Sequence, residues 1–425
     1  MQYKQDRNFS KQMDALDPLA SYRDKFYIPQ VKVAQKSIYF CGQSLGLQPV
    51  TVQNYIEQVL QDWRILGFQA HFHGDSPWIF YSDSLKPKMA SIVGARETEV
   101  ALMNTLTVNL HLMMVSFYRP TPDKYKILIE APVFPSDRYA IRSQIQLHGY
   151  DPDVALLEVK PRPGETYIRT EDIESLLDKE GNSIVLVLIG AVNYLTGQFF
   201  EIEKIVDRAH FYDCLVGLDL AHAAGNVPLA LHDWKVDFAV WCNYKYMNAG
   251  PGAIAGCFVH DKYAESFDLP RLAGWWGNNI KTRFLMGNDF QTIPGASGWQ
   301  VSNPDILSLA ALAASLDIFE AAGMDKLRTK SKLLIGYLEF LLDGMRDERI
   351  SLITPRDPEQ RGCQLSIRIK DSNKKVLQHL NERGVFCDWR EPDVIRVAPV
   401  PLFNQYTEVF DFVEILTEIL NQIDE

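Results

Sequence analysis

Phe238-Ala239-Val240-Trp241-Cys242-Asn243-Tyr244-Lys245-Tyr246 is an apolar run that closes on a charged amine, and Asn248-Ala249-Gly250-Pro251-Gly252 turns the chain just afterwards. A strand that ends in lysine and then turns on glycine presents a primary amine at the rim of a sheet. Upstream, Leu215-Val216-Gly217-Leu218-Asp219-Leu220-Ala221-His222 reads as a second strand that delivers an aspartate and, three residues on, a histidine. Taken singly, Lys245 is better explained as a solvated strand-end lysine and Asp219 as a loop cap, because lysines are seldom buried. The combination shifts the balance towards chemistry.

Outward from these two runs, short apolar segments alternate with periodic ones. Lys126-Ile127-Leu128-Ile129-Glu130 and residues 183–188 read as strands, with helical patterns at Thr170–Glu180 and residues 203–211 between the runs. Such alternation predicts βαβ units and a mostly parallel sheet. The near-continuous apolarity of Ile184-Val185-Leu186-Val187-Leu188-Ile189 fits a strand covered on both faces. A long helix is predicted from about 304 to 322, followed by a charged stretch around 325–332. The pattern then changes to strand 363–369, helix 373–383, strands 386–389 and 394–400, and helix 408–423. That reads as a smaller α+β unit appended to a larger α/β body.

The 425 residues are 47% hydrophobic, enough for a sizeable core, and carry a net charge of -11. An acidic balance argues against nucleic acid, which needs a basic face. Cys41, Cys214, Cys242, Cys257, Cys363 and Cys387 form no C-x-x-C pair, so free thiols in a reducing compartment are expected. No apolar stretch is long enough to span a bilayer, and Met1 to Arg7 has no signal-peptide core, so a cytoplasmic location is expected.

An amine that forms imines, a carboxylate and an imidazole on neighbouring strand ends are parts that a pyridoxal-phosphate site requires. Asp219 suits the pyridine nitrogen, since an adjacent carboxylate favours its protonated form. His222 suits the ring face, or a structural role. Thr107, in Asn104-Thr105-Leu106-Thr107-Val108-Asn109, is a candidate N-cap where backbone N–H groups can hold a phosphate, or a simple cap. In Ala131-Pro132-Val133-Phe134-Pro135-Ser136-Asp137, Phe134 can stack on an aromatic ring and Asp137 can reinforce Asp219, or the segment is a plain proline-rich turn. His71 and His73 form an H-x-H pair, but no Asp, Glu or Cys at zinc-like spacing accompanies it, and no metal is expected. Arg396 is either solvent-exposed or a carboxylate fork.

These segments, in their order and spacing, resemble the kynureninase family, within the class-V aminotransferase superfamily of pyridoxal-phosphate enzymes. The resemblance covers almost the whole chain. Phe40-Cys41-Gly42-Gln43-Ser44-Leu45-Gly46-Leu47 opens it. Leu106 to His111, Phe134 to Asp137, Asp219 to Asn226, Trp241 to Gly256, Gly274-Trp275-Trp276-Gly277, Ser302-Asn303-Pro304 and Arg396 to Pro401 complete it. It implies fold type I: a mostly parallel seven-stranded sheet flanked by helices, plus a smaller α+β domain. Residues 1–49 would be a segment packing with the small domain, 50–325 the large cofactor-binding domain, and 326–425 the small domain.

Function is implied by the same likeness: hydrolytic Cβ–Cγ cleavage of kynurenine or 3-hydroxykynurenine, within tryptophan degradation and quinolinate and NAD synthesis. Lys245 would carry pyridoxal 5'-phosphate, and Tyr244 would bind its phosphate and assist proton transfer. Asp219 would meet the pyridine nitrogen, with Phe134, Pro135, Ser136, Asp137 and His222 lining the cofactor. Leu106 and Thr107 would hold the phosphate. Trp275 and Asn303 match positions that reach the neighbouring subunit's site, implying a homodimer. Arg396 matches the substrate-carboxylate grip. His71, Ser302 and Asn303 match the pairing of members that favour 3-hydroxykynurenine.

Two positions depart from the family pattern. Gln43 replaces an asparagine, and Gly190 stands where relatives carry a cofactor-contacting serine. The rivals are another class-V enzyme (a cysteine desulfurase or an aminotransferase), a metal hydrolase built on His71 and His73, and a catalytically dead scaffold. A desulfurase needs a reactive cysteine on a mobile Gly/Ser-rich loop, and none of the six sits in one. The presence of Lys245, Asp219 and His222 together disfavours the scaffold.

Overall fold

Ile184–Gly190, the most apolar run of the chain, is an inner strand of a seven-stranded sheet and is buried along nearly its whole length. The computed structural model describes residues 2–32, 35–370, 372 and 374–423. In chain order the sheet consists of β1 (Val100–Leu102), β2 (Lys126–Glu130), β3 (Leu156–Val159), β4 (Ile184–Gly190), β5 (Leu215–Asp219), β6 (Phe238–Trp241) and β7 (Gly256–Val259). Their spatial order is β1-β7-β6-β5-β4-β2-β3. All neighbours run parallel except β7, which is antiparallel to both β1 and β6. The expected mostly parallel sheet is therefore the observed one. Three of its strands, β1, β3 and β7, have no counterpart in the sequence reading; each has only three or four residues, too few for a periodic signal.

Helices such as Leu106–Phe117, Pro135–Leu147, Thr170–Glu180 and Ile202–Phe211 accompany these strands, and the buried side chains separate into two clusters. Register aligns the strand ends. Gly190 pairs with Asp219 and Asp219 with Val240, so β4, β5 and β6 end nearly level at one edge. Close packing of β5 on β6 requires Gly217, since a Cβ there would lie 2.2 Å from the Phe238 ring.

A second sheet comes later in the chain, built from β8 (Ile350–Leu352), β9 (Leu365–Ile369), β10 (Asp388–Arg390) and β11 (Val394–Val397), antiparallel in the order β8-β9-β11-β10. One segment left unassigned by its pattern gains an element here, and one expected strand is corrected. The charged stretch at 325–332 lies in a helix, Met324–Met345, bent 80° from Ile306–Ala322 at Gly323. Its charges break the apolar pattern, yet it buries Leu327, Leu334, Ile335, Tyr337, Leu338, Leu341 and Leu342. The expected strand at 386–389 is two pieces: Val385–Phe386 pairs with Ile38–Tyr39, and Asp388–Arg390 joins the second sheet. The helix expected from 373 spans Lys375–Glu382, and position 373 itself lies outside the described residues.

The N-terminal segment meets both units. Helix Arg7–Ala15 lies against Tyr406–Ile423, where Asp14 accepts from the backbone N–H of Tyr406 at 2.6 Å. Gly46 donates its N–H to the Tyr244 carbonyl at 2.8 Å, and Leu47 donates to Asn248 Oδ1 at 3.0 Å. Among the described residues no single helix is long and apolar enough to cross a membrane.

Candidate active site

The carboxyl edge of β2, β4, β5 and β6 is where the sequence-selected groups meet. After Trp241 the chain leaves the sheet through buried Cys242 and Asn243, and Asn243 ties the loop by donating to the Ile254 carbonyl at 2.7 Å. Lys245 Nζ emerges 3.1 Å from His222 Nε2 and lies 5.8 Å from the Phe134 ring and 5.9 Å from that of Tyr244. Gly46 packs directly on this loop, where a Cβ would lie 2.3 Å from the Lys245 carbonyl oxygen. The Phe40–Leu47 motif is thus a clamp on the lysine.

Asp219 ends β5 and is buried, its Oδ1 accepting from the Ala221 N–H at 2.6 Å. Asp137, in the first turn of Pro135–Leu147, lies within hydrogen-bonding reach of it. Burial, then the Asp219 charge and hydrogen bonding to it, push the Asp137 carboxyl well above the usual range. Its Oδ1 has no partner. Burial drives His222 well below its usual range, and the charges of Lys245, Arg396 and Arg390 push the same way, so its ring is neutral. Tyr244 is raised above the ordinary phenol range by burial, and then by neighbouring Cys242, so its hydroxyl stays protonated.

Two helix N-termini converge beside these groups. Thr105, not Thr107, is the N-cap of Leu106–Phe117, so Thr107 lies inside the first turn; the cap residue takes the extended backbone. Phe134 caps Pro135–Leu147, with Pro135 at the first helical position, where its missing N–H costs nothing. The hydroxyls of Thr107 and Ser136 lie 3.0 Å apart. Free backbone donors and two hydroxyls at converging helix starts form an anion cradle.

Pyridoxal phosphate fits these residues on three observations. The amine lies near an aromatic ring, an unpaired buried carboxyl oxygen sits on an acid pair that a protonated ring nitrogen would neutralise, and the cradle suits a phosphate. Gly190, which departs from the family pattern, has Glu130 as its neighbour. Glu130 Oε1 accepts from the Gly190 N–H at 3.1 Å and would lie 3.0 Å from a Cβ at that position. Glu130 is fully buried with Oε2 unpartnered, and burial raises its carboxyl to about 8. Sequence reasoning misses Glu130 because an acid at the end of a strand reads as its solvated terminus.

Arg396 is buried rather than solvent-exposed, contrary to one of the two readings of its strand. It donates to Asp388 through Nε and Nη2 and to the Tyr194 carbonyl through Nη1. Gln43 is also buried and donates to the Arg396 carbonyl at 3.3 Å. His71 packs edge-on against Trp78, Trp275 donates to the Arg283 carbonyl, and Ser302 and Asn303 are exposed. Among the described residues these four make no hydrogen bond or ring contact with the Lys245 cluster. Among the described residues one His/Asp/Glu group has metal-like spacing: Glu99, His232, His260 and Asp261. Its atoms are already engaged. Glu99 Oε1 meets His232 Nδ1 and the Asp261 N–H, each at 2.8 Å, while His260 Nδ1 accepts from the Lys262 N–H.

The chain matches the family model described as the kynureninase C-terminal domain over residues 327–416. A kynureninase from Koribacter versatilis is 54% identical over 414 residues, covering 97% of this chain and 98% of that protein. The kynureninase of Rattus norvegicus is 48% identical, covering 99% of this chain and 94% of its own length. Among solved structures, a cysteine desulfurase from Escherichia coli superposes with a TM-score of 0.76 at 15% identity, covering 95% of this chain and 98% of that one. A likeness so distant in sequence speaks to the fold, which is fold type I.

Proposed function

This chain belongs to the kynureninase family, and from that premise we propose how its residues carry out the reaction. It is a pyridoxal-phosphate-dependent hydrolase that cleaves kynurenine. The observation that carries the site reading is the Lys245 amine, 3.1 Å from the neutral His222 ring and beside the Asp137–Asp219 pair. The net reaction consumes one water and yields an anthranilate and L-alanine. When bound, the cofactor supplies the electron sink.

The rest is done by the protein. Lys245 would hold the cofactor through its amine and is placed to act as the base at the substrate α-carbon. Asp219, with Asp137 beside it, would favour the protonated form of the cofactor's ring nitrogen. His222 and Phe134 line the ring. The hydroxyls of Thr107 and Ser136, the helix start at Leu106 and Pro135, and the protonated Tyr244 hydroxyl would hold the phosphate; Tyr244 is also placed to give a proton to the substrate β-carbon left when the Cβ–Cγ bond breaks. Arg396 grips the substrate α-carboxylate through the N–H groups left on its terminal nitrogens.

His71, Ser302 and Asn303 form the ring-hydroxyl subsite, and 3-hydroxykynurenine is the preferred substrate. A site built to hydrogen-bond a hydroxyl leaves polar atoms unpaired when that group is missing. Trp275 and Asn303 serve the site of a second copy in a homodimer, which agrees with their exposure and lack of contact with Lys245 of their own chain. We place the enzyme in the cytoplasm, in tryptophan degradation and the supply of quinolinate for NAD, with residues 1–49, 50–325 and 326–425 as its N-terminal segment, large domain and small domain.

The test is an L-alanine assay with 3-hydroxykynurenine on the wild type and Lys245→Ala, alongside kcat/KM for both substrates. Turnover lost on substitution and a higher kcat/KM for the hydroxylated substrate are expected. Turnover unaffected by the substitution overturns the site, and a preference for kynurenine overturns the subsite.

A further inference from the structure

Asp388 and Arg396 face each other across the antiparallel pair β10–β11, in direct register. Arg396 Nε donates to Asp388 Oδ1 at 2.7 Å, Nη2 donates to Oδ2, and Nη1 donates to the Tyr194 carbonyl at 2.6 Å. A guanidinium has five N–H donors, so these three bonds leave one on each terminal nitrogen. Those two are what a substrate carboxylate needs. The Arg396 side chain is 1% exposed and that of Asp388 is 19% exposed, so the pair is largely withdrawn from water and its geometry is held.

We infer that Asp388 is a positioning residue for the reaction: its carboxylate fixes the rotation of the Arg396 guanidinium so that the two remaining N–H groups face the substrate. The inference rests on the reading of Arg396 as the α-carboxylate grip. Asp388 also binds Arg390, whose Nη2 donates to Oδ2 at 3.2 Å. Two arginines and one aspartate give the cluster a formal charge of one positive unit. Asp388 therefore subtracts from the field that attracts an anion while it supplies geometry, and the two roles predict opposite signs. Removing its charge strengthens the field and loosens the fork.

The experiment measures kcat and KM for L-kynurenine in wild type, Asp388→Asn, Asp388→Glu and Arg396→Gln. It also measures inhibition by the decarboxylated amine analogue of kynurenine. Cofactor absorbance and thermal midpoint monitor folding. Asp388→Asn is expected to raise KM roughly 10- to 100-fold, the scale on which a misplaced positioning group acts. The same variant should change kcat by less than about threefold and leave inhibition by the carboxylate-free analogue unaltered. Asp388→Glu keeps the charge and moves the carboxylate by a methylene, so it too is expected to raise KM, and it carries the test should the asparagine variant fail to fold. A KM that falls or stays level in Asp388→Asn, or stays level in Asp388→Glu, overturns the inference while leaving Arg396 in place. A level KM in Arg396→Gln overturns the reading of Arg396 on which it rests.

Discussion

Three carboxyl groups, Glu130, Asp137 and Asp219, share one end of the sheet, and Lys245 is the cation beside them. Burial raises the carboxyls of Glu130 and Asp137 above the usual range. Glu130 titrates at about 8 in the folded chain, against about 4.5 when solvated, chiefly through burial. A folded value above the unfolded one means that its contribution is fully present below about pH 4.5 and is lost as pH rises through about 8. Glu130→Gln removes that loss. Its folding stability is expected to gain on wild type as pH is raised from 5 to 8, by an amount on the order of a few kcal/mol at most, read as a widening difference in thermal midpoint. A difference independent of pH would show that Glu130 is ionised throughout. His222 runs the other way. Its folded value is depressed, so the stability tied to its neutral ring is present above about pH 6.5 and is lost as pH falls below it. His222→Gln is expected to flatten the acid limb of a plot of thermal midpoint against pH. Lys245→Ala is expected to lose both the visible absorbance of the bound cofactor and roughly two to four orders of magnitude in turnover.

The loop 242–252 closes on itself through the Asn248 N–H to the Lys245 carbonyl, the Ala249 N–H to the Asn243 carbonyl and Asn248 Nδ2 to the Tyr246 carbonyl, and it is held further by what packs on it. Gly46 is the tightest contact: besides the Lys245 carbonyl, a Cβ there would lie 2.7 Å from Asn248 Cα. Gly46→Ala must displace backbone, and overpacking of that kind costs about 1–3 kcal/mol. The expected result is weaker retention of the cofactor, measured by absorbance on dilution or dialysis, together with a lower thermal midpoint. A variant that retains cofactor like the wild type would mean that the two segments separate without consequence. This loop is recognisable from sequence because its strand is wholly apolar and its stop is abrupt. The short strands β1, β3 and β7 carry no such contrast. The cap of Leu106–Phe117 falls two residues from its expected place because Thr105 and Thr107 are chemically equivalent candidates and only backbone conformation separates them.

The proposed homodimer is the level at which the roles proposed for His71, Ser302 and Asn303 can be tested. Phe72 and Phe284 lie together at the surface, as do Trp275 and Phe284, with ring centroids 5.9 Å and 5.4 Å apart. Exposed rings close to the residues proposed to serve a neighbour agree with a face that a second copy covers. If the sites are shared, mixing Lys245→Ala with Asn303→Ala subunits raises 3-hydroxykynurenine turnover above the mean of the two variants alone, with complete sites amounting to about a quarter of the total for random pairing in a two-fold dimer. No rise after verified subunit exchange would mean that each chain builds its site alone.

Much of the candidate site is legible in the chain: an amine, an acid and an imidazole at strand ends announce themselves because apolar strands stop on them. The alternation of apolar and periodic segments likewise implies a parallel sheet, since that pattern buries both faces. Folding supplies what no local pattern carries. Glu130 beside Gly190, the Asp388 fork on Arg396 and the Gly46 clamp on Lys245 each join residues 60, 8 and 199 positions apart, respectively. Sheet register and side-chain packing bring such groups into contact, and desolvation there sets their charge, a property of the surroundings rather than of the residue.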